Sequence, residues 1–464
     1  PSIYEVKLFT EQGHSRRKCP SCGRNYWTLH PDSEKCGDQP CVAYSFLGSP
    51  PIKKRFEMEE MRELFLSYLE KENHTRIKRY PVVARWRDDV FFVGASIYDF
   101  QPWVTEGLIP PPANPLAISQ PCVRMTDLDL VGKSGRHLTE FEMMAHHAFN
   151  SPTSQIYWND ETVRLCYDFF THQLGISPER INFVEDMWVG GGNAGEDFEV
   201  VVEGIEVATL VFMQYKTLGD QLQPLKNQTV DTGYGLERLV WLSKGTPTIY
   251  DAVLGGVVEK LRSLSEVERP EEKIYGLADH TRSLIFMLGD GVVPSNMGAG
   301  YLARLLIRRA MRNLDSLKIE KPLQEIMALQ LEEVSKSFPE YKEKVKILEI
   351  IEIEERRYRN TLKRGISIVS KMVEEASKRG RGSLGVKELI QLYDSHGLTP
   401  DYVAEVAKPR GVKIEIPEDF FDLVAKHHSQ TEKSSQEPSW VDRVKGKFES
   451  LDRERRRRNN TTGI

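Results

Sequence analysis

Two groups of residues in this chain have types and spacings that suit chemistry. The first lies in TVDTGYGLERLVWL, residues 229–242. Asp231 offers a carboxylate to an ammonium and Arg238 a guanidinium to a phosphate, within one small region. Gly233 and Gly235 let the backbone bend and let a ligand come close. Leu236, Leu239, Val240 and Leu242 supply an apolar helical face, so the stretch is predicted to be a turn feeding an amphipathic helix, with Arg238 turned back over the bend. The plain alternative is an ordinary helix start capped near Asp231 or Thr232, carrying a surface arginine. The second group is Cys19-x2-Cys22 and Cys36-x4-Cys41, with thirteen residues between the pairs and glycine after Cys22 and Cys36. Four thiolates on one zinc would fix a short loop that lacks a core of its own. Disulfides are the competing reading and suit an oxidising compartment. Cys122 and Cys166 sit in apolar contexts and read as buried bystanders.

Positioning elements can be read on either side. Residues 118–149 run strand, polar loop, strand: Arg124 ends a β-like run, DLDLVGKSGRH is the loop, and Phe141 lies in the run that resumes. An arginine and an aromatic on neighbouring antiparallel strands could hold a nucleotide by both ends. Within residues 55–73, Met58, Met61, Phe65, Tyr68 and Leu69 share a helical stripe. Residues 81–83 and 90–93 read as strands flanking Arg85-Trp86-Arg87, residues 109–115 as a stiff proline loop, and 159–175 as a helix with a polar cap and a glycine stop. Trp188 precedes VGGGNAGEDFEV, a glycine-rich bend entering a strand at 200–202; a phosphate loop is the alternative there, without the required spacing. His146 and His147 are adjacent on a strand and must face opposite ways. After Leu242 the pattern turns helical. Residues 278–288 and 301–317 read as amphipathic, and 339–378 as long and charged, with Val345, Leu348, Ile351, Leu362 and Ile366 as apolar contacts. Residues 429–438 read as a mobile loop. The ending NNTTGI, after an arginine run, suggests a fragment.

CVRM and RHLTEFEMM resemble motif 2, and DTGYGLER motif 3, of the class II aminoacyl-tRNA synthetases. Within that class VFMQ (211–214), DTGYGLERL and DGVVPSN (290–296) resemble the alanyl-tRNA synthetases of archaeal type. The resemblance covers nearly the whole chain. It implies an α+β fold: a small N-terminal zinc module at 1–50, an antiparallel-sheet catalytic domain at 51–255 with motif 1 near 81–93, and an all-helical tRNA-recognition domain at 256–464. It further implies an alanine–tRNA ligase that uses ATP and Mg2+ to make alanyl-adenylate and passes the alanyl group to tRNA(Ala). By resemblance, Arg124 serves the α-phosphate and the amino-acid carboxylate, Arg238 the far phosphates, and Phe141 the adenine. Glu199 is implied for magnesium or the substrate network, and Gly235 for the ATP site. Arg136 and His137 could approach ATP or the tRNA end. Asp231 would take the ammonium, with Gly233 beside it. Trp188 and Val211 would bound the methyl pocket, and Thr209 stands where bacterial members carry asparagine. Asn296 and Asp394 match the positions that read a G·U wobble pair, with Arg304 and Arg308 as further tRNA contacts. Away from the resemblance, Asn296 reads as a helix cap and Asp394 as a turn. A class II-like ligase that adenylates a small acid without tRNA, and a zinc-anchored RNA-binding module, are the competing functions.

A hydrophobic share of 40% is enough for real cores. No run approaches the roughly 18 apolar residues of a membrane span, and a cytoplasmic enzyme is expected. A net charge of −5 means that RNA must meet local patches, such as Arg308, Arg309 and Arg312 or the 453–458 neighbourhood. The fragment is expected to be monomeric, with any dimerisation in a C-terminal part it lacks. The family's editing site, with its His-x3-His pair, has no counterpart among the eleven histidines.

Overall fold

The computed structural model describes residues 3–424 except 220, 269, 343–345, 379–382, 397, 399, 409–411, 418–419 and 421–422. Val345, the 429–438 segment and the 453–458 arginines lie outside the described residues, as does the side chain of Ile366.

One sheet organises the first half of the chain. Its strands are β1 (Ser15–Lys18), β2 (Asn25–Thr28), β3 (Thr75–Arg76), β4 (Leu116–Val123), β5 (Glu140–Asn150), β6 (Ile181–Gly190), β7 (Asn193–Val202), β8 (Ile205–Leu218) and β9 (Gln221–Gly235), in the order β1-β2-β6-β7-β8-β9-β5-β4-β3. All neighbours are antiparallel except β3 and β4. Side chains alternate between the two faces. Phe183, Phe198, Val200, Leu210, Phe212 and Tyr234 point into the main core, under α1 (Lys7–Gln12), α2 (Met58–Lys71) and α3 (Asn159–Asp168). The expected stripe of α2 is largely buried there, with Phe65 4.7 Å from the Tyr234 ring. The opposite face carries the acids and arginines described below.

Strand-loop-strand holds for β4 and β5. The expected strands at 81–83 and 90–93 do not form: one isolated bridge, Val83 to Phe92, is all that joins them. Pro81 has no N–H to give a ladder, and the edge partner of β4 is the short β3 instead. The glycine run after Trp188 is also rearranged. Gly191 and Gly192 alone make the bend, with φ of 57° and 86°, the left-handed pair of a two-residue hairpin turn. The strand therefore begins at Asn193 and Glu199 lies well inside it.

After α4 (Leu236–Lys244) come α5 (Ile249–Val253), α6 (Gly255–Leu264), α7 (Glu271–Gly289), α8 (Gly298–Ser316), α9 (Leu323–Ser337), α10 (Lys346–Lys378), α11 (Val386–His396) and α12 (Pro400–Ala407). The amphipathic reading of 278–288 is corrected: α7 is buried on every side from Ile274 to Gly289. Its polar groups are matched rather than solvated. Asp279 accepts from Thr139 N (2.8 Å) and Oγ1 (2.6 Å), and Arg282 pairs with Glu140 and Glu237, each at 2.6 Å. At its C-terminus Asp290 accepts from both Nη atoms of Arg79 and from Val82 N. Removing one partner of such a buried pair strands the other charge, at about 3–5 kcal/mol. These contacts join the helices firmly to β5 and α4.

Candidate active site

The antiparallel register sets Asp186, Asp197, Val211, Asp231 and His147 in one row across β6, β7, β8, β9 and β5. Glu199, Thr209 and Gly233 form the next row. Opposed residues share a face, so a strand pattern alone gathers these groups. Over them lies a cavity of about 420 Å³ that brings together every residue proposed for nucleotide and amino acid: Arg124, Arg136, His137, Phe141, Trp188, Glu199, Thr209, Val211, Asp231, Gly233, Gly235 and Arg238.

Arg124 follows the end of β4, donates from Nε to Gly94 O at 2.8 Å, and lies 5.0 Å from the Phe141 ring centre. It is one of the residues lining the cavity. Arg238, in the first turn of α4, donates from Nη1 to Glu206 O (2.9 Å) and Oε2 (3.1 Å). Thr209 Oγ1 donates to Glu206 Oε1 at 2.9 Å. His137 Nδ1 and Ser134 Oγ lie 2.6 Å apart, and Arg136 reaches Tyr44 OH at 3.4 Å.

The cap alternative for Asp231 is excluded. Asp231 and Thr232 belong to β9, and the helix begins only at Leu236 with Gly235 as its cap residue. Thr232 Oγ1 accepts from His146 N and donates to His146 O. The predicted turn is likewise a strand end, and neither glycine has positive φ. Close approach is what they provide: a Cβ on Gly233 would meet Met143 Sδ at 2.8 Å, and one on Gly235 would meet Arg238 Cδ at 3.2 Å.

Asp231 is buried, and burial pushes its carboxyl up to about 7. Behind it His147 Nδ1 stands 3.5 Å away, and His147 Nε2 is 2.9 Å from Ser96 Oγ. Burial lowers His147 to about 3, so the imidazole is neutral and the contact is no ion pair. His146 faces the other side, toward the Tyr157 and Tyr234 hydroxyls, as adjacent strand positions require. Burial, with its acidic neighbours, raises Asp197 to about 8; burial and Glu206 raise Glu199 to about 7 against the pull of Arg24. Burial pushes Glu206 up too, but Arg238 more than reverses it and leaves the carboxyl below its usual range. Asp186, Asp197, Glu206 and His147 were not singled out as site residues from the sequence. The period-two spacing of Asp197 and Glu199 on a strand was the available signal.

Cys19, Cys22, Cys36 and Cys41 converge with all four sulfurs within 4.8 Å of one another. Cys22 and Cys36 sulfurs are 3.8 Å apart, close to the spacing of thiolates sharing one tetrahedral ion with bonds of about 2.3 Å. The β1–β2 turn that carries the first pair closes by Gly23 N to Cys19 O and Cys19 N to Arg24 O. The cluster packs on Tyr26, Val184 and Val201.

Farther off, Asn296 is exposed on the loop before α8, whose cap residue is Met297, so the cap reading of Asn296 fails. Its Oδ1 accepts from Arg304, which also pairs with Glu354 at 2.9 Å. Asp394 lies within α11, not in a turn. Arg308 sits 5.4 Å from the ring centre of Tyr393, the residue before Asp394, and Tyr393 packs edge-on against Tyr301. The start of α8 and the end of α11 thus meet, outside the cavity.

Residues 60–273 and 263–462 match the family described as tRNA synthetases class II (A). The alanine–tRNA ligase of Pyrobaculum calidifontis is 50% identical, over 93% of this chain and 54% of its own length. That of Pyrococcus abyssi is 49% identical over 95% and 55%, and that of Thermococcus kodakarensis 50% over 92% and 54%. The chain therefore spans about half the length of the curated relatives it matches. With the family match running through both halves and relatives near 50% identical over more than nine-tenths of its length, the chain belongs to the class II tRNA synthetases (A).

Proposed function

We propose that this chain is the aminoacylating part of an alanine–tRNA ligase. The observation that carries the reading is the row in which Asp231 stands directly opposite Val211, in one cavity with Arg124, Phe141 and Arg238. Asp231 takes the ammonium of alanine, and its neighbours Val211 and Trp188 enclose the methyl group, with Thr209 and Gly233 completing the pocket. Arg124 holds the substrate carboxylate against the α-phosphate. The carboxylate oxygen attacks α-phosphorus, the bond to the β-phosphate oxygen breaks, and pyrophosphate leaves. Arg238 meets the far phosphates, Phe141 stacks on adenine near Gly235, and Arg136 and His137 close the mouth. Glu199 would hold magnesium, which when bound offsets phosphate charge. The hydroxyl of the tRNA's terminal adenosine then attacks the alanyl carbonyl and AMP leaves. Catalysis is positioning plus charge stabilisation, with no covalent enzyme intermediate.

Asn296, Arg304, Arg308 and Asp394 would contact the acceptor stem of tRNA(Ala). An amide can bridge both bases of a wobble pair and a carboxylate can accept from the guanine amino group. Cys19, Cys22, Cys36 and Cys41 would hold a structural zinc. Residues 1–50, 51–255 and 256–464 serve as zinc module, catalytic unit and tRNA-recognition unit of a cytoplasmic enzyme that is monomeric in this form. ATP–pyrophosphate exchange screened across the amino acids tests the reading: alanine should support the fastest exchange. Exchange supported by a small acid with no amino group, and no charging of tRNA, would favour the tRNA-independent ligase instead.

A further inference from the structure

Arg24 is the second residue after Cys22 and leaves the cysteine turn at the very start of β2. Its guanidinium does not point to solvent; three quarters of the side chain is covered. Nη1 donates to Asp186 Oδ2 at 2.8 Å and to Glu199 Oε2, and Nη2 reaches Asp38 Oδ2 at 3.3 Å. Asp38 belongs to the second cysteine segment, two residues past Cys36. One planar cation, carried on the first arm of the cysteine cluster, therefore touches the second arm and two carboxylates that line the active-site cavity. A fork of fixed donors suits that task in a way that a point charge does not. Without it, Glu199 would lose the cation that orients it beside the like charge of Asp186, whereas Asp186 would keep the Met187 N–H at 2.8 Å on its Oδ1.

We propose that Arg24 is a positioning residue through which the cysteine module acts on catalysis: the closed cysteine turn aims the guanidinium at Asp186 and Glu199, and so sets Glu199 for the magnesium–nucleotide. The inference rests on the function proposed above for Glu199. The zinc module is then a strut for one carboxylate, beyond stabilising its own loop.

The test uses Arg24→Met, Arg24→Lys, Cys22→Ser and the double variant Cys22→Ser/Arg24→Met, in the full chain. Zinc content and melting temperature are measured first, then Mg·ATP binding by calorimetry, then exchange kinetics. Arg24→Met should keep its zinc and a cooperative melting transition while weakening Mg·ATP by roughly tenfold to hundredfold, the usual cost of losing a group that orients a ligand to a metal. The change should fall in KM for ATP, with kcat and KM for alanine far less affected, and Arg24→Lys should recover only part of it. Cys22→Ser should weaken Mg·ATP similarly, and the double variant should be no worse than the poorer single one, because both act along one path. Mg·ATP affinity of Arg24→Met within twofold of the parent overturns the proposal, as does a double variant whose losses multiply. If Cys22→Ser does not fold, the Arg24 pair alone decides. A parent chain that binds Mg·ATP but shows no alanine-dependent exchange would defeat the function proposed above and leave the calorimetric comparison standing as the test of Arg24.

Discussion

Arg124 lines the cavity from the end of β4 and Arg238 from α4, and neither is locked in a fully satisfied ion pair: Arg124 gives only Nε to a carbonyl, and Arg238 shares Glu206 with Thr209. Each lost phosphate contact should cost roughly 2.7–4 kcal/mol, so Arg124→Ala and Arg238→Ala should each slow pyrophosphate exchange by about a hundredfold or more. Asp231 makes a prediction with a sign. Burial holds its carboxyl up to about 7, so the charge proposed to receive the ammonium is present above that pH and lost as pH falls through it. KM for alanine should therefore rise as the medium is acidified below about 7. Asp197 and Glu199 titrate in the same region, and Asp231→Asn separates them: it should raise KM for alanine and flatten that pH dependence while leaving the dependence of ATP binding. The same raised value means that the folded chain keeps a proton which the unfolded chain releases. Asp231's contribution to stability thus declines as pH climbs from the usual carboxylate range to about 7, and alanine should offset the loss. That Arg124, Phe141, Asp231 and Arg238 would share one cavity could be read from residue types that suit ligands. Glu206 and His147 were not legible, since one acts as a partner of Arg238 and the other stands behind Asp231, relations that only the register of β8, β9 and β5 creates.

Among the elements, α4 and the β4–β5 pair follow from periodicity, because an apolar stripe and alternating strands leave direct traces. The stretch 81–93 misled for an equally physical reason: its β-branched and aromatic residues pack as a loop, with Trp86 Nε1 donating to Tyr98 O and Arg87 bound to Asp89 and Gln101. Helix α7 misled in the opposite sense, since its charged residues pair inward with Glu140 and Glu237 instead of marking a wet face. The β1–β2 turn and the second cysteine segment form an element that four thiolates can close. One zinc per chain should copurify under reducing conditions and be lost in Cys19→Ser/Cys22→Ser, as metal analysis would measure; stoichiometry near zero in the parent protein would refute it. Where α8 and α11 meet, Asn296→Ala and Asp394→Ala should impair tRNA charging and leave pyrophosphate exchange nearly intact, because adenylate forms before the acceptor stem is read. The penalty should shrink when the wobble pair is replaced by G·C. Equal loss in both assays would place these residues in the fold or the catalytic core.

The molecule as a whole joins a sheet-borne pocket to a helical half through buried charges at Asp279, Arg282 and Asp290. The pocket proposed for alanine has little with which to reject near neighbours. An apolar wall separates glycine from alanine by about 1–3 kcal/mol, and a pocket containing Thr209 excludes serine no better. The chain should therefore form some seryl-tRNA and glycyl-tRNA. Charging assays with serine and glycine test this, and a chain that charges alanine but neither of them would contradict it. The central claim is narrower: one cavity, over the Asp197–Val211–Asp231 row, activates alanine on ATP. Exchange of labelled pyrophosphate into ATP, run with each amino acid on the parent chain and on Arg238→Ala, tests it most directly. The account predicts exchange that depends on alanine and collapses in Arg238→Ala; exchange that ignores alanine, or survives the loss of Arg238, would contradict it.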